Sequence, residues 1–212
     1  MATRASAGAQ NMKTELDVCL GKAGTPVGKL VFVRNGPRVL TQFAYFQDWL
    51  DHADTFNVSP DLRATPGYQT RKPATKEDSL FFLALGDTEP DAWGRRVIAR
   101  AHAKRREEDP KLGALTELDY LCAVDDFSRM GALRLRNAHG AYLESVPAGR
   151  RATPPIIELE KMLASSRAVE LGKDTTQDLA YLQGKGTSLG GMRPKCSILD
   201  EEGYLALGKF PS

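Results

Sequence analysis

The sequence predicts an α+β protein: a small mixed N-terminal subdomain over residues 14–145, then a second segment over 153–212 that ends on a hairpin. Three observations predict it. Short β-rich runs separated by glycine turns fill the chain up to Phe46, helical periodicity follows from Asp78 to Cys122, and a glycine-rich stretch near the end precedes two more β-rich runs.

Each element has its own warrant. Residues 1–13 carry no periodicity and read as a disordered leader. Leu16–Leu20 forms a first strand, Gly21 to Pro26 a turn, and Lys29–Val33 a second strand. Asn35-Gly36 signals a hairpin turn into a third strand over Val39–Phe46. Residues 57–77, with Pro60, Pro66 and Pro73, read as a long surface loop. Asp78 is placed to cap a helix through Phe81, Phe82 and Leu85 that ends near Gly86. A longer helix starts around Pro90-Asp91, with Trp93, Val97, Ile98 and Ala101 on one face, Trp93 being a core anchor. Thr116 and Asp119 resemble a capping box ahead of the apolar stripe Leu118, Leu121 and Cys122. Gly131–Leu135 returns to strand, and Pro147, Gly149, Arg150 and Arg151 mark a boundary at 145–153. Thr153-Pro154 opens another helix with Leu159, Met162 and Leu163 inside and Gly172 as its stop. A short helix around Asp178–Leu182 leads into the glycine stretch.

Composition narrows the function. Hydrophobic residues make up 42% and charged residues 26% of the 212, enough to form a core in one large domain or two small ones. The formal charge of +2 gives no reason to expect direct nucleic-acid binding. No apolar run is long enough to span a membrane, and no membrane association is expected. Cys19, Cys122 and Cys196 are scattered and His52, His102 and His139 isolated, which predicts neither disulfides nor a metal site. The leader lacks the apolar core of a secretory signal, so the cytoplasm is the default location. Arg95, Arg96, Arg100, Lys104, Arg105 and Arg106 crowd one helix; they form either a solvated face or a partner-facing patch.

Chemistry concentrates in Gly184–Lys195, where four glycines fall within eight residues. Such a backbone turns sharply and approaches a ligand without Cβ obstruction, and its N–H groups can cradle phosphate oxygens. A strand over Cys196–Leu199, a turn over Asp200–Gly203 and an answering strand over Tyr204–Phe210 follow, with Lys209 near the end. Glycine loop, hairpin and a lysine on the next strand make up the opening arrangement of a protein-kinase-like N-lobe, in which the lysine meets the α/β-phosphates and the loop covers them. No GxxxxGK followed by Ser or Thr is present, so the loop is not a Walker A element. A plain hairpin turn with a surface lysine is the competing reading.

Several ordered motifs resemble the HipA-like serine/threonine kinases, toxins of a bacterial type II toxin–antitoxin system. Gly28-Lys29-Leu30, Phe43-Ala44-Tyr45, Trp49-Leu50 and Leu62 are spaced like that family's small N-terminal subdomain. The stretch from Leu85-Gly86-Asp87-Thr88-Glu89-Pro90-Asp91-Ala92 through Trp93-Gly94-Arg95-Arg96-Val97 is similar to its LxDSLPDxWGRxL element, and Gly131-Ala132-Leu133 to its GAL strand. Ser188-Leu189-Gly190-Gly191-Met192-Arg193-Pro194-Lys195 is close to its SLGGARPK loop, and Lys209-Phe210-Pro211-Ser212 follows. The resemblance spans about residues 14–212. It implies that Lys209 is the ATP-phosphate lysine, that Gly190 and Gly191 fold over nucleotide, and that Ser188 is a regulatory autophosphorylation site. Ser188 also suits a plain turn residue, and Lys195 is either a second phosphate contact or a strand-edge charge. The complete kinase implied uses ATP and Mg2+, acts on a protein substrate and has a DNA-binding antitoxin as partner.

The sequence ends three residues after Lys209, before any catalytic acid or magnesium-binding Asp/Asn set. Asp125-Asp126-Phe127-Ser128 lacks the last glycine of a DFG element and precedes the glycine loop, so it reads as a turn. The expectation is a segment incomplete for catalysis alone, without tightly bound ATP: a fragment, a truncated product, or one chain of a split kinase whose C-terminal lobe is separate. The alternative is a non-catalytic regulatory or partner-binding module of such a system.

Overall fold

The structure, a computed structural model, describes residues 12–75, 77–126, 129–143, 158–184 and 195–209. The chain forms two compact units, Met1–Asp87 with Ala132–Tyr142, and Thr88–Gly131 with Leu143–Ser212. The mixed α+β class is borne out. The helices that follow Asp87, expected inside a 14–145 subdomain, cluster with the C-terminal segment; the boundary expected at 145–153 lies outside the described residues.

The first unit is built on an antiparallel sheet. Its strands are β1 (Met12–Leu20), β2 (Thr25–Asn35), β3 (Arg38–Tyr45), β4 (Tyr68–Thr70) and β5 (Leu133–Arg136), in the order β4-β3-β2-β1-β5. Met12 and Lys13, expected in the leader, already pair with Arg34 and Val33. The β2–β3 loop consists of Gly36 and Pro37, one residue later than the Asn35-Gly36 signal, with Gly36 at φ 60. Alternation puts Leu16, Leu30 and Phe43 in one cross-strand row and Val18 beside Leu135, all buried. Phe81 and Phe82 close this face, with ring centroids 6.2 Å from Phe32 and from Phe43. Gly28 sits beneath the Phe43 ring; a Cβ there would lie 2.5 Å from both that ring and the Ala44 carbonyl oxygen.

One local expectation in this unit fails and another is incomplete, for one physical reason. Residues 57–77 are largely an exposed loop, as expected, but they also carry an edge strand and a buried anchor. Tyr68–Thr70 joins the sheet edge, Leu62 is fully buried, and Tyr45 Oη donates to the Leu62 carbonyl (2.9 Å) while accepting from Val58 N (3.1 Å). Asp78 does not cap a helix; it accepts from Thr75 N (2.9 Å) and Ala74 N (2.8 Å), which hold its carboxyl below the ordinary range. The helix it was expected to start is only α2, Leu83–Gly86. The acceptor for Leu83 N is Asp61 (3.0 Å), which also pairs with Arg71 at 3.3 Å, while Arg71 donates to the Phe81 carbonyl (2.7 Å). These partners lie 10 or 22 residues apart, beyond the reach of any local pattern.

The second unit holds α3 (Ala92–Glu108), α4 (Glu117–Ala123), α5 (Leu159–Glu170), α6 (Thr176–Gly184) and the hairpin β6 (Lys195–Leu199) and β7 (Leu205–Lys209). (The four-residue helix α1, Gln47–Leu50, belongs to the first unit.) Asp91 caps α3 by accepting from Gly94 N (2.7 Å), and the Thr116–Asp119 capping box is present. Trp93 and Val97 of α3 bury against Val169 of α5 and Leu179 and Leu182 of α6. Gly172, at φ 68, ends α5 in a Schellman motif: its N–H bonds the Val169 carbonyl and Lys173 N–H bonds that of Ala168. Thr153-Pro154 lies outside the described residues.

The basic run on α3 divides. Arg95 reaches Glu89 (2.8 Å) and Glu117 (2.7 Å) and lies over the Tyr120 ring. Arg100 donates through Nε (2.9 Å) and Nη2 (2.6 Å) to Asp174, with Lys104 3.7 Å from the same carboxylate. Arg105 and Arg106 are solvated. No described helix is long and apolar enough to cross a membrane.

Candidate functional site

The β6–β7 hairpin is where the sequence concentrates its chemistry, and the α5–α6 pair positions it. Met162 of α5 is fully buried, with Leu159, Leu163, Tyr181 of α6 and Ala206 of β7 packed around it. Tyr181 is fixed on both sides: its Oη donates to Glu158 (2.6 Å), and Lys161 Nζ stands 4.5 Å from its ring centroid. At the turn, Asp200 accepts from Glu202 N (3.1 Å) and Tyr204 N (2.7 Å), and Gly203 takes φ 85. This is the tight turn expected over Asp200–Gly203.

Pairing runs from Leu199↔Leu205 through Ile198↔Ala206 to Lys195↔Lys209. Lys195 and Lys209 therefore occupy directly opposed positions at the open end, next to the glycine stretch. The sequence placed one at the start of a strand and the other near the end of the next; antiparallel register brings these two places together. Like charges directly opposite one another in a sheet are destabilising. Ser188, Gly190 and Gly191 lie outside the described residues.

The other motif residues have structural partners. Asp91 caps α3, Glu89 pairs with Arg95, and Trp93 sits in the helical core. Thr88 accepts from Arg129 Nη1 (3.2 Å), and Arg129 Nη2 also donates to the Leu121 (3.0 Å) and Val124 (2.8 Å) carbonyls at the end of α4. Burial holds the Arg129 guanidinium down at about 10, and pushes the Cys122 thiol up to about 11, which makes that thiol a poor nucleophile. Sequence reasoning missed Arg129, whose partners no local pattern reveals. It also missed Asp174, although Asp174-Thr175 directly before a helical run is a usable signal. Asp125 is buried after α4, and Asp126 N donates to the Leu143 carbonyl (3.0 Å), which fits a connecting turn; Phe127 and Ser128 lie outside the described residues. Among the described residues, no group of His, Cys, Asp and Glu could hold a metal ion.

Compared with protein-family models, the chain matches none, and no curated protein matches it.

Proposed function

We propose that this chain is the N-terminal segment of an ATP-dependent protein serine/threonine kinase of the HipA-like toxin type and supplies the phosphate-covering part of its nucleotide site. The observation that carries the reading is the opposed pair Lys195 and Lys209 at the open end of a hairpin that follows four glycines. A nucleotide polyphosphate suits that donor set: two cations relieve their repulsion on shared phosphate oxygens, and the glycine backbone offers N–H groups beside them. ATP, when bound, supplies the phosphoryl group. Ser188 fits as the regulatory position, because a phosphate there brings about −1.5 to −2 charges up to the nucleotide's own phosphates. The reading places the magnesium ligands and catalytic acid outside the described residues, in further sequence or a separate C-terminal lobe. A DNA-binding antitoxin and a protein substrate are the partners it proposes.

The test is radiolabelled phosphate transfer by the 212-residue chain, by the chain supplied with a catalytic lobe, and by its K209M and K195M variants. The chain alone gives negligible transfer. In the supplied form, K209M loses one charge-assisted contact of about 1.5–3 kcal/mol, or roughly ten- to a hundredfold, and K195M loses less. Undiminished transfer by K209M refutes the assignment.

A second reading, a non-catalytic partner-binding module, is favoured by the exposed apolar side chains of the sheet unit: Val39, Leu40, Phe56 and Tyr68. It predicts a stable complex with a catalytic lobe or antitoxin in native pull-downs. Recovery of the monomer alone counts against it.

A further inference from the structure

We propose that Ala206 is a positioning residue for Lys209, setting how closely β7 approaches the α5–α6 pair; this rests on the nucleotide-site reading above. A two-stranded hairpin is marginal without further packing, and β6 and β7 pair only with each other among the described strands. The packing described for the hairpin is that of Ala206 on Met162, against which Leu159, Leu163 and Tyr181 also pack. Met162 does not yield readily, because it is fully buried and its neighbour Tyr181 is held by Glu158 and Lys161. The size of residue 206 therefore sets the separation of strand and helices. Lys209 is three residues further along the same strand, about 10 Å at the usual strand rise, so a shift at residue 206 is carried to it. Strand alternation also puts position 209, with its partner 195, on the face opposite position 206. Ala206 thus contacts the helix side, and the lysine positions belong to the other side. A larger residue 206 displaces the lysines without touching a ligand.

The experiment uses the 212-residue chain and an acyl-phosphate derivative of ATP. The Lys209 amine attacks the acyl carbon, the new N–C bond replaces the C–O bond to phosphate, ATP leaves and the amine proton passes to solvent. Site-resolved mass spectrometry gives the rate at Lys209, divided by its rate with acetyl phosphate, which carries no nucleoside. In the unmodified chain this ratio stands well above one and falls with excess ATP. Ala206→Leu lowers it about tenfold or more, since ångström-scale misplacement costs up to about a hundredfold. Ala206→Gly keeps it within about threefold, and A206L/M162A recovers it because truncating Met162 makes room for the leucine. Trp93 fluorescence verifies that each variant is folded. An undiminished ratio in A206L, or a loss that A206L/M162A fails to recover, overturns the positioning role and leaves the nucleotide site standing. A ratio of one in the unmodified chain, without ATP protection, removes both.

Discussion

Removing Arg100 costs more stability than removing its partner Asp174. The Asp174 side chain is fully buried, whereas the Arg100 side chain is 40% exposed. In R100A the carboxylate keeps only Lys104, at 3.7 Å, and one of its oxygens, Oδ2, already lacks a hydrogen bond. Leaving a buried charge without its partner costs about 3–5 kcal/mol, and the remaining lysine places the expected loss near about 3. In D174A the exposed guanidinium turns to water, and the loss is that of charge-assisted hydrogen bonds, about 1.5 kcal/mol. The double variant falls close to D174A, because the two side chains act as one unit. Urea unfolding followed by Trp93 fluorescence in a W49F background reports on the helical unit, since the two tryptophans lie one in each unit. If D174A proves as costly as R100A, the stranded-carboxylate reasoning is wrong.

Two further outcomes are expected. Asp178 accepts from Thr175 Oγ1 (2.7 Å), Thr175 N (2.9 Å) and Ser165 Oγ (2.7 Å), which hold its carboxyl below the ordinary value of 3.8. A depressed carboxyl lends stability that is complete above its unfolded value and fades as pH falls through the folded one; D178N should therefore flatten the stability loss seen below pH 3.8 in acid titrations followed by circular dichroism. Gly28→Ala should destabilise the sheet unit by about 1–3 kcal/mol, read from Trp49 in a W93F background, and F43L should restore only part of it because the Ala44 carbonyl clash is backbone.

What the sequence determined by itself is whatever closes within a few residues. The three-strand meander, the Asp91 cap, the Thr116–Asp119 box, the Gly172 stop and the terminal hairpin all depend on partners within one turn of helix or across one short loop. Their donors and acceptors are neighbours in the chain, so residue type and spacing suffice. Asp78 marks the limit of that logic. An Asp ahead of apolar residues looks like a helix cap, but its carboxylate turns back to Ala74 and Thr75, and Asp61 satisfies Leu83 from 22 residues upstream. At the candidate site, the glycine stretch and both lysines are legible as residues, whereas the opposition of Lys195 and Lys209 follows from the register of the folded hairpin. Only the tertiary structure decided that α3 belongs with α5 and α6, that Arg100 meets Asp174 across 74 residues, and that β7 rests on Met162 through Ala206. Burial of apolar surface drives that choice. It is non-directional and indifferent to sequence separation, and so leaves no local trace of which faces will meet.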